Sequence, residues 1–500
     1  MKQLSGLDSL FLHSEMHGMP MHMSMLSIYD PSSTKSGMEF KNIVDLFESR
    51  INGDLALLRC KLMEVPLNMD QPYWVEDPYF DFVYHIRHIA LPKPCNWQKL
   101  CSLVANLHAQ PLNRNRPLWE VHVIDGLNCI EGMPNGCFAV LFKVHHALMD
   151  GKTAMEVFNS LHHVLDDESN RFHAVDIDFA RFVAYESDVH FPKILANAAL
   201  NNVYKSGNLI RMAGRIFGLY NAVMRGIESR ELKQLHKNKT RFNGPLSPRR
   251  VVDRVNIPFA VIRKIKNKVG DVTVSDIALT VIGGGLRRYL MAKDEMPEDS
   301  LVAAVPLSIR KSEEESTIVG NEKISLANVA LRTDIKDPLE RLNKVHKESQ
   351  AGKAYAKVLG NNLVADTMNC LYTGLVAWGV KTAVESGVLD KFPPANNTII
   401  ANLAGSAEPL YFCGAKMIDS FGMGPLIPNT GLFHTLSSTW ESLTIGFTAD
   451  RQKMEDPAFY AQCLQESFND LCAKVFQAEE VVEQEVVLEK KKIKKARKKI

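Results

Sequence analysis

The chain contains no run of about 18 apolar residues, the length needed to cross a hydrocarbon core, so no membrane-spanning helix is expected. Its opening stretch, MKQLSGLDSLFLHSE, carries acidic and polar residues where a secretory signal needs an apolar core, and no leader is expected. The nine cysteines stand singly, at 60, 95, 101, 129, 137, 370, 413, 463 and 472, without C-x-x-C or any metal-like spacing. The expectation is reduced thiols in a cytosolic chain, with no disulfide framework and no metal site. No G-x-S-x-G or comparable nucleophile motif occurs, so direct group transfer is more natural than ping-pong chemistry. No internal repeat is visible, and no basic stripe interleaved with aromatics marks a nucleic-acid surface.

What is present is a globular composition, 46% apolar over 500 residues. That length exceeds one ordinary core and predicts two large domains or one pseudo-duplicated fold. The net charge of +2 hides an asymmetry: residues 490–500 hold eight of the 59 basic residues, and without them 51 basic face 57 acidic residues. This basic end reads as a solvated, frayed tail, or as an attachment to anionic lipid, where a cation near the surface contributes about 1 kcal/mol.

Residues 1–200 are expected to form a first domain, 201–250 a connector, 251–477 a second domain and 478–500 a basic tail. WEVHVIDGL and GCFAVLFKV read as two strands joined by a polar turn, the second apolar nearly throughout and therefore buried on both faces. In the connector, residues 209–227 place Arg211, Arg215 and Arg225 on one side of a helical wheel and apolar residues on the other. That is a helix packed on the core, or one lying in a membrane interface. VSDIALTVIGGGLRRYLMAKD reads as a helix although each glycine of 283–285 costs about 1 kcal/mol against alanine, which suggests close packing or close ligand approach.

Two stretches pair histidines with a downstream aspartate. In LFKVHHALMDGKTAMEVF, His145 and His146 follow the buried strand and Asp150 can cap the next helix. A group directly after such a strand projects between layers, where it can be held and dried. Imidazole titrates near neutral pH and suits deprotonation of a hydroxyl attacking an acyl carbon. Asp150 would hold the bend through backbone N–H groups or a cation, with Arg310 one candidate, and Gly151 would allow close approach or an unusual backbone angle. In LHHVLDD, a continued helix at about 100° per residue puts His163 opposite the apolar face, His162 on its flank, and Asp166 and Asp167 away from it. The second pair is therefore expected on a solvated helix surface. HSEMHGMPMHMSM offers the Met and His ligands that copper takes, but reads as packing or channel lining.

His-His-x-x-x-Asp-Gly resembles the signature of the coenzyme A-dependent acyltransferase superfamily, which the condensation domains of peptide synthetases share. LSGLDSLFLHSEMHGMPMHMSMLSIYD, PLNRNRPLWEVHVIDGL, FNGPLSPRR, SDIALTVIGGGLRRYL, VPLSIR and GNEKISLANVALRTDIKDPLERL follow in order. Together they resemble the bacterial wax ester synthase/diacylglycerol acyltransferase family over most of residues 1–475. The resemblance implies an α/β fold of two chloramphenicol-acetyltransferase-like sandwich domains with a substrate tunnel at their interface. It implies transfer from acyl-coenzyme A, a co-substrate and not a cofactor, to a long-chain alcohol or diacylglycerol. It also implies a cytoplasmic enzyme peripherally attached to the inner membrane or lipid inclusions. It makes His146 the general base, His145 its support, and Asp150 and Gly151 structural. The family's Asn-Asp pair is Ser275-Asp276 here, the substrate-binding candidates of the second half, and its Asn-Val-Pro-Gly block is Asn402-Leu403-Ala404-Gly405. The alternatives are a condensation-type enzyme taking carrier-bound acyl groups and a catalytically silent lipid-surface protein.

Overall fold

A computed structural model of the chain describes residues 2–16, 18–34, 39–53, 55–164, 194, 197–201, 239–308, 324–359, 378–379, 381–382, 386–387, 394 and 396–496. Residues 209–227, Asp166, Asp167, Arg310, Cys370 and the last four residues of the basic end lie outside them.

The strands in chain order are β1 (Lys2–Gln3), β2 (His22–Asp30), β3 (Cys60–Met63), β4 (Tyr73–Glu76), β5 (Ile86–Ala90), β6 (Trp119–Asp125), β7 (Phe138–His145), β8 (Arg250–Pro258), β9 (Val302–Ser308), β10 (Ile324–Ala330), β11 (Thr398–Leu403), β12 (Tyr411–Phe412), β13 (Ala415–Met423), β14 (Leu432–Ser438) and β15 (Ser442–Asp450). Helices flank them: α1 (Gly6–Ser14), α2 (Phe40–Ile51), α3 (Phe82–His85), α4 (Trp97–Ala109), α5 (Gly151–Ser160), α6 (Phe259–Val269), α7 (Val274–Ala292), α8 (Pro338–Leu359) and α9 (Pro457–Ala496). One six-stranded sheet has the order β12-β13-β2-β7-β6-β5, a second β10-β9-β11-β14-β15-β8, and β1, β4 and β3 form a small third sheet. Among the described residues, no single helix is long and apolar enough to cross a membrane.

β7 is buried at every position, as its nearly continuous apolar run predicts, and that burial includes Lys143 and His145. Its side chains alternate between two cores. Phe138, Val140, Phe142 and Val144 pack with Phe47 of α2 and Val157 of α5, while Ala139 and Leu141 pack with Leu100 and Val104 of α4. In the second half, α7 and α9 share a core with β8, β11, β14 and β15. The three glycines of α7 serve that packing: a Cβ on Gly283 would lie 2.4 Å from the Leu331 carbonyl oxygen, one on Gly284 2.1 Å from Ser467 Oγ, and one on Gly285 2.6 Å from Leu464.

Three findings could not be read along the chain. β12 and β13, late in the sequence, join the first sheet, with β13 antiparallel to β2 from Lys416↔Asp30 to Met423↔Ser24. The expectation of reduced thiols alone is corrected by a disulfide between Cys95 and Cys129, 34 residues apart, with Cα atoms 5.6 Å apart. β5 and β6 are parallel neighbours, so the loops that follow them, one bearing each cysteine, leave the same edge of the sheet. The solvated position expected for the second histidine pair is also corrected. α5 stops at Ser160, so the wheel ran a turn too far. His162 is buried, its Nδ1 donating to the Phe158 carbonyl at 2.7 Å and its Nε2 accepting from the Tyr29 hydroxyl at 2.8 Å. The backbone of His163 pairs with Tyr411 of β12 in both directions, at 3.0 and 2.9 Å.

Gly283→Ala tests the close approach of α7. In an exposed helix this change stabilises by about 1 kcal/mol. Here the new methyl meets a backbone carbonyl, and overpacking of about 1–3 kcal/mol should dominate. The urea midpoint is expected to fall, and a rise would show that α7 has room to shift.

Candidate active site

His146 stands one residue past the end of β7, in a turn that leads to α5. The backbone of this corner is tied on both sides. His145 N–H donates to the Leu118 carbonyl and His146 N–H to the Met21 carbonyl, each at 2.9 Å. Leu118 belongs to the Pro117-Leu118-Trp119 block, whose tryptophan is buried and donates from Nε1 to the Leu58 carbonyl at 2.7 Å. Beyond the turn, Asp150 is the N-cap of α5 and accepts the Thr153 N–H at 2.8 Å. Such a cap satisfies an N–H that the first helical turn leaves without a partner. Gly151 begins the helix, and a Cβ there would make only ordinary contacts, 3.5 Å from Leu403 and 3.8 Å from Met23. No positive φ occurs at Gly151. Close backbone approach and an unusual angle therefore do not explain this glycine.

The two histidines have different surroundings. His146 is half-buried, and its ring stacks on Phe11 of α1 with centroids 4.0 Å apart and planes 15° from parallel. His145 is fully buried. Its Nδ1 accepts the Ala147 N–H at 3.0 Å, so the neutral ring carries its proton on Nε2. That nitrogen faces Glu15 Oε1 at 3.7 Å, and Nε2 of buried His22 lies 3.2 Å from the same oxygen. Arg114 completes the group by donating to Glu15 Oε2 from Nε at 3.1 Å and from Nη2 at 2.9 Å.

Electrostatics settle the charge states of this cluster. Burial pushes the Glu15 carboxyl up, but its imidazole partners outweigh burial and hold it well below the usual carboxylate range. Burial pulls His22 down to about 4 against the opposing pull of Glu15, and lowers His145 in the same way. At neutral pH the cluster is one carboxylate between two neutral imidazoles and a guanidinium. Ligand atoms of Glu15, His22 and His145 lie within 4.8 Å of one another, a spacing that could hold a metal ion. The surrounding charge argues against a divalent cation. Arg114 already neutralises Glu15, and the fully buried Lys143 sits on the same strand face as His145 and acts on His22. Lys143 Nζ donates to the carbonyls of Leu107, at 2.9 Å, and Gln110 at the C-terminal end of α4. Burial lowers it to about 8, so it remains largely protonated at neutral pH.

The second half meets the motif at the end of β11. Leu403 packs beside the Gly151 position, and the preceding Asn402 donates from Nδ2 to Ser275 Oγ at 3.5 Å. Ser275 thus lies beside Asn402, the residue preceding the one that packs on the motif. Asp276 is buried at the start of α7, where Oδ2 accepts the Thr273 N–H at 2.9 Å and pairs with His346 Nδ1 at 2.8 Å. Its interactions build the capping box of that helix.

The sequence did not point to Phe11, Glu15, His22, Arg114 or Lys143 as parts of this site. Glu15 and His22 fall within HSEMHGMPMHMSM, and Met19, Met21 and Met25 of that stretch are buried. The available signal was an acid and a histidine set among methionines that pack.

The catalytic-domain model of the wax ester synthase/diacylglycerol acyltransferase family matches residues 4–278, and the model of that family's C-terminal domain matches residues 319–472. A Mycobacterium tuberculosis protein provisionally named a diacylglycerol O-acyltransferase is 27% identical over 463 residues, which cover 90% of this chain and 86% of that protein. In fold, the chain is similar to the wax ester synthase/diacylglycerol acyltransferase of Marinobacter aquaeolei VT8, with a TM-score of 0.65 and 22% identity over 95% of this chain and all of that one. It is also similar to the trichothecene 15-O-acetyltransferase of Fusarium sporotrichioides, with a TM-score of 0.55 and 11% identity over 94% of each chain.

The buried cluster makes a pH prediction. His22 titrates near 6.5 when unfolded and about 4 when folded, so between those values the unfolded chain holds the extra proton. Stability should therefore fall as pH drops through that window. His22→Gln removes the site, and urea denaturation across the same range is expected to show a shallower loss. An equal loss in the variant would place the titration elsewhere.

Proposed function

Because the chain belongs to the wax ester synthase/diacylglycerol acyltransferase family, we propose that it moves a long-chain acyl group from acyl-coenzyme A to the hydroxyl of a fatty alcohol or of diacylglycerol, with His146 as general base. Acyl-coenzyme A and an acyl acceptor are the substrates the family implies. In this reading His146 takes the hydroxyl proton as the acceptor oxygen attacks the thioester carbonyl. That attack forms the new C–O bond and a tetrahedral oxyanion. Its collapse re-forms the carbonyl and breaks the C–S bond, and the His146 imidazolium gives its proton to the departing thiolate. No covalent enzyme intermediate is required.

The observation that carries the reading is the setting of His146. It is the half-buried imidazole at the corner of a fully buried strand, tied through its backbone and stacked on one face. His145, by contrast, is engaged with Ala147 and Glu15 inside the core and supports the corner. Donor and acceptor would meet in a tunnel between the halves, where β11 reaches the motif, and the Ser275 hydroxyl is the second-half candidate to steady substrate or oxyanion.

The test is thiol release by purified protein from palmitoyl-coenzyme A with hexadecanol or dioleoylglycerol. Turnover only of a carrier-bound acyl donor would favour the condensation-type alternative. Vesicle binding without any turnover would favour a silent lipid-surface protein. His146→Ala should lower kcat by about 10²–10⁴ with an unchanged melting temperature, the usual worth of a positioned base. Asp150→Ala should reduce both rate and stability, the latter by about 0.5–2 kcal/mol for the lost cap. A normal melting temperature with only a displaced pH–rate profile would instead give Asp150 a proton-handling role.

Peripheral attachment to the inner membrane or lipid inclusions is likewise a proposal, and the lysine-rich end of α9 motivates it. A chain ending at residue 489 is expected to sediment less with anionic vesicles at low salt, since surface cations act through a salt-screened attraction, while turning over dispersed substrate normally. Unchanged sedimentation would leave the lysines as a solvated end.

A further inference from the structure

We propose that α1 is a positioning strut for the base: Phe11 fixes the ring of His146, and the Glu15 clamp fixes Phe11. The inference rests on the reading of His146 as the base and adds two residues that act through it.

The geometry joins three facts. Phe11 lies flat on the His146 ring at 4.0 Å. Phe11 and Glu15 are four residues apart, one on α1 and the other its C-cap, so they share a face. Glu15 is held by His22, His145 and Arg114, and His22 is paired directly opposite His145 across β2 and β7. The clamp therefore closes on the same strand end that carries His146. At its other end α1 is capped by Ser5, which accepts the Asp8 N–H at 3.1 Å, and the chain just before it is anchored by the Leu4 N–H on the Pro72 carbonyl at 2.9 Å. Near its C-terminal end Arg114 reaches the Leu12 carbonyl as well as Glu15, so one guanidinium secures both helix and carboxylate.

The chemistry explains why such a strut is useful. The backbone of His146 is tied to Met21, but backbone ties do not choose a ring orientation. A stacked aromatic does, because offset parallel rings tolerate little tilt or lift before contact is lost. It also covers one face of the imidazole against water. Misplacing a reacting group by about 1 Å can reduce rate by about 10²-fold, so a fixed ring should appear in kcat more than in KM. Glu15 enters as a distance constraint. It touches no substrate in this account and sets how far α1 sits from β7.

The experiment compares Phe11→Leu, Phe11→Tyr, Glu15→Gln and the double variant Phe11→Leu/Glu15→Gln, with His146→Ala as control. Phe11→Leu keeps apolar bulk but not the ring, and is expected to lower kcat by about 10- to 100-fold with KM nearly constant. Phe11→Tyr keeps the ring and should restore most of the rate. Glu15→Gln should lower kcat alone and add little in the Phe11→Leu background, since groups acting through one element are not additive. Independently of turnover, diethylpyrocarbonate should modify His146 faster in Phe11→Leu and Glu15→Gln than in the parent or Phe11→Tyr, read by peptide mass.

Equal losses in Phe11→Leu and Phe11→Tyr, or multiplying losses in the double variant, would overturn the inference, as would an unchanged modification rate. If Phe11→Leu is not recovered folded, Phe11→Met makes the same comparison. Full activity in His146→Ala would sink the base assignment itself. An inactive His146→Ala beside a fully active Phe11→Leu would sink only the strut.

Discussion

Burial of β7 on both faces is the constraint on which the site depends. A strand covered on each side can be apolar along its length, and β7 nearly is, but its last residues on the α4 side are Lys143 and His145. Breaking a partnership around a buried charge costs about 3–5 kcal/mol, so these groups need partners that the fold must deliver. Lys143 finds them in carbonyls at the end of α4, where the helix dipole also favours a cation. His145 finds them in the Ala147 N–H and in Glu15. Polar groups that would otherwise disrupt a core instead tie the strand end to α4, to α1 and to its own following turn.

That network separates two histidines that are adjacent in sequence. Successive strand residues point to opposite faces, so His145 is drawn into the core while His146, beyond the last strand position, stays half-buried against Phe11. One imidazole becomes part of the architecture, and the other keeps a half-buried ring stacked on Phe11. Asp150 belongs to the architecture as well, as the cap that starts α5 directly after the corner.

The two halves interlock and do not merely touch. β13 lies beside β2 in the first sheet while its neighbour in sequence, β14, lies in the second. Trp97 of α4 donates from Nε1 to Asp253 at 2.7 Å, Arg254 pairs with Asp419, and Arg250 reaches the Gly18 carbonyl at 2.6 Å. These contacts bring β11 to the motif, so that Leu403 packs beside Gly151 and Ser275 stands within reach of Asn402. The Marinobacter and Fusarium enzymes are 22% and 11% identical to this chain, so what they share with it is the fold.

The sequence by itself determined the features that are local or periodic. The nearly continuous apolar run of β7, the Asp150 cap and the α7 helix follow from spacing and residue type, the division into two parts follows from length, and the α/β class came only with the family resemblance. The ordered blocks led to the family. The tertiary structure alone decided what depends on distant segments meeting. Glu15 and His22 come from one stretch of chain, Arg114 from a second and His145 from a third, and they meet around the Glu15 carboxylate with no periodicity relating them. His162 and His163 looked solvated because a wheel assumes that a helix continues, whereas α5 ends at Ser160 and the chain turns inward to pair with β12. Cys95 and Cys129 looked unrelated because neither lies near the other in sequence, yet parallel strands deliver both to one edge of the sheet. Local pattern reports which face a residue prefers, while partnership in a core is set by where the chain returns.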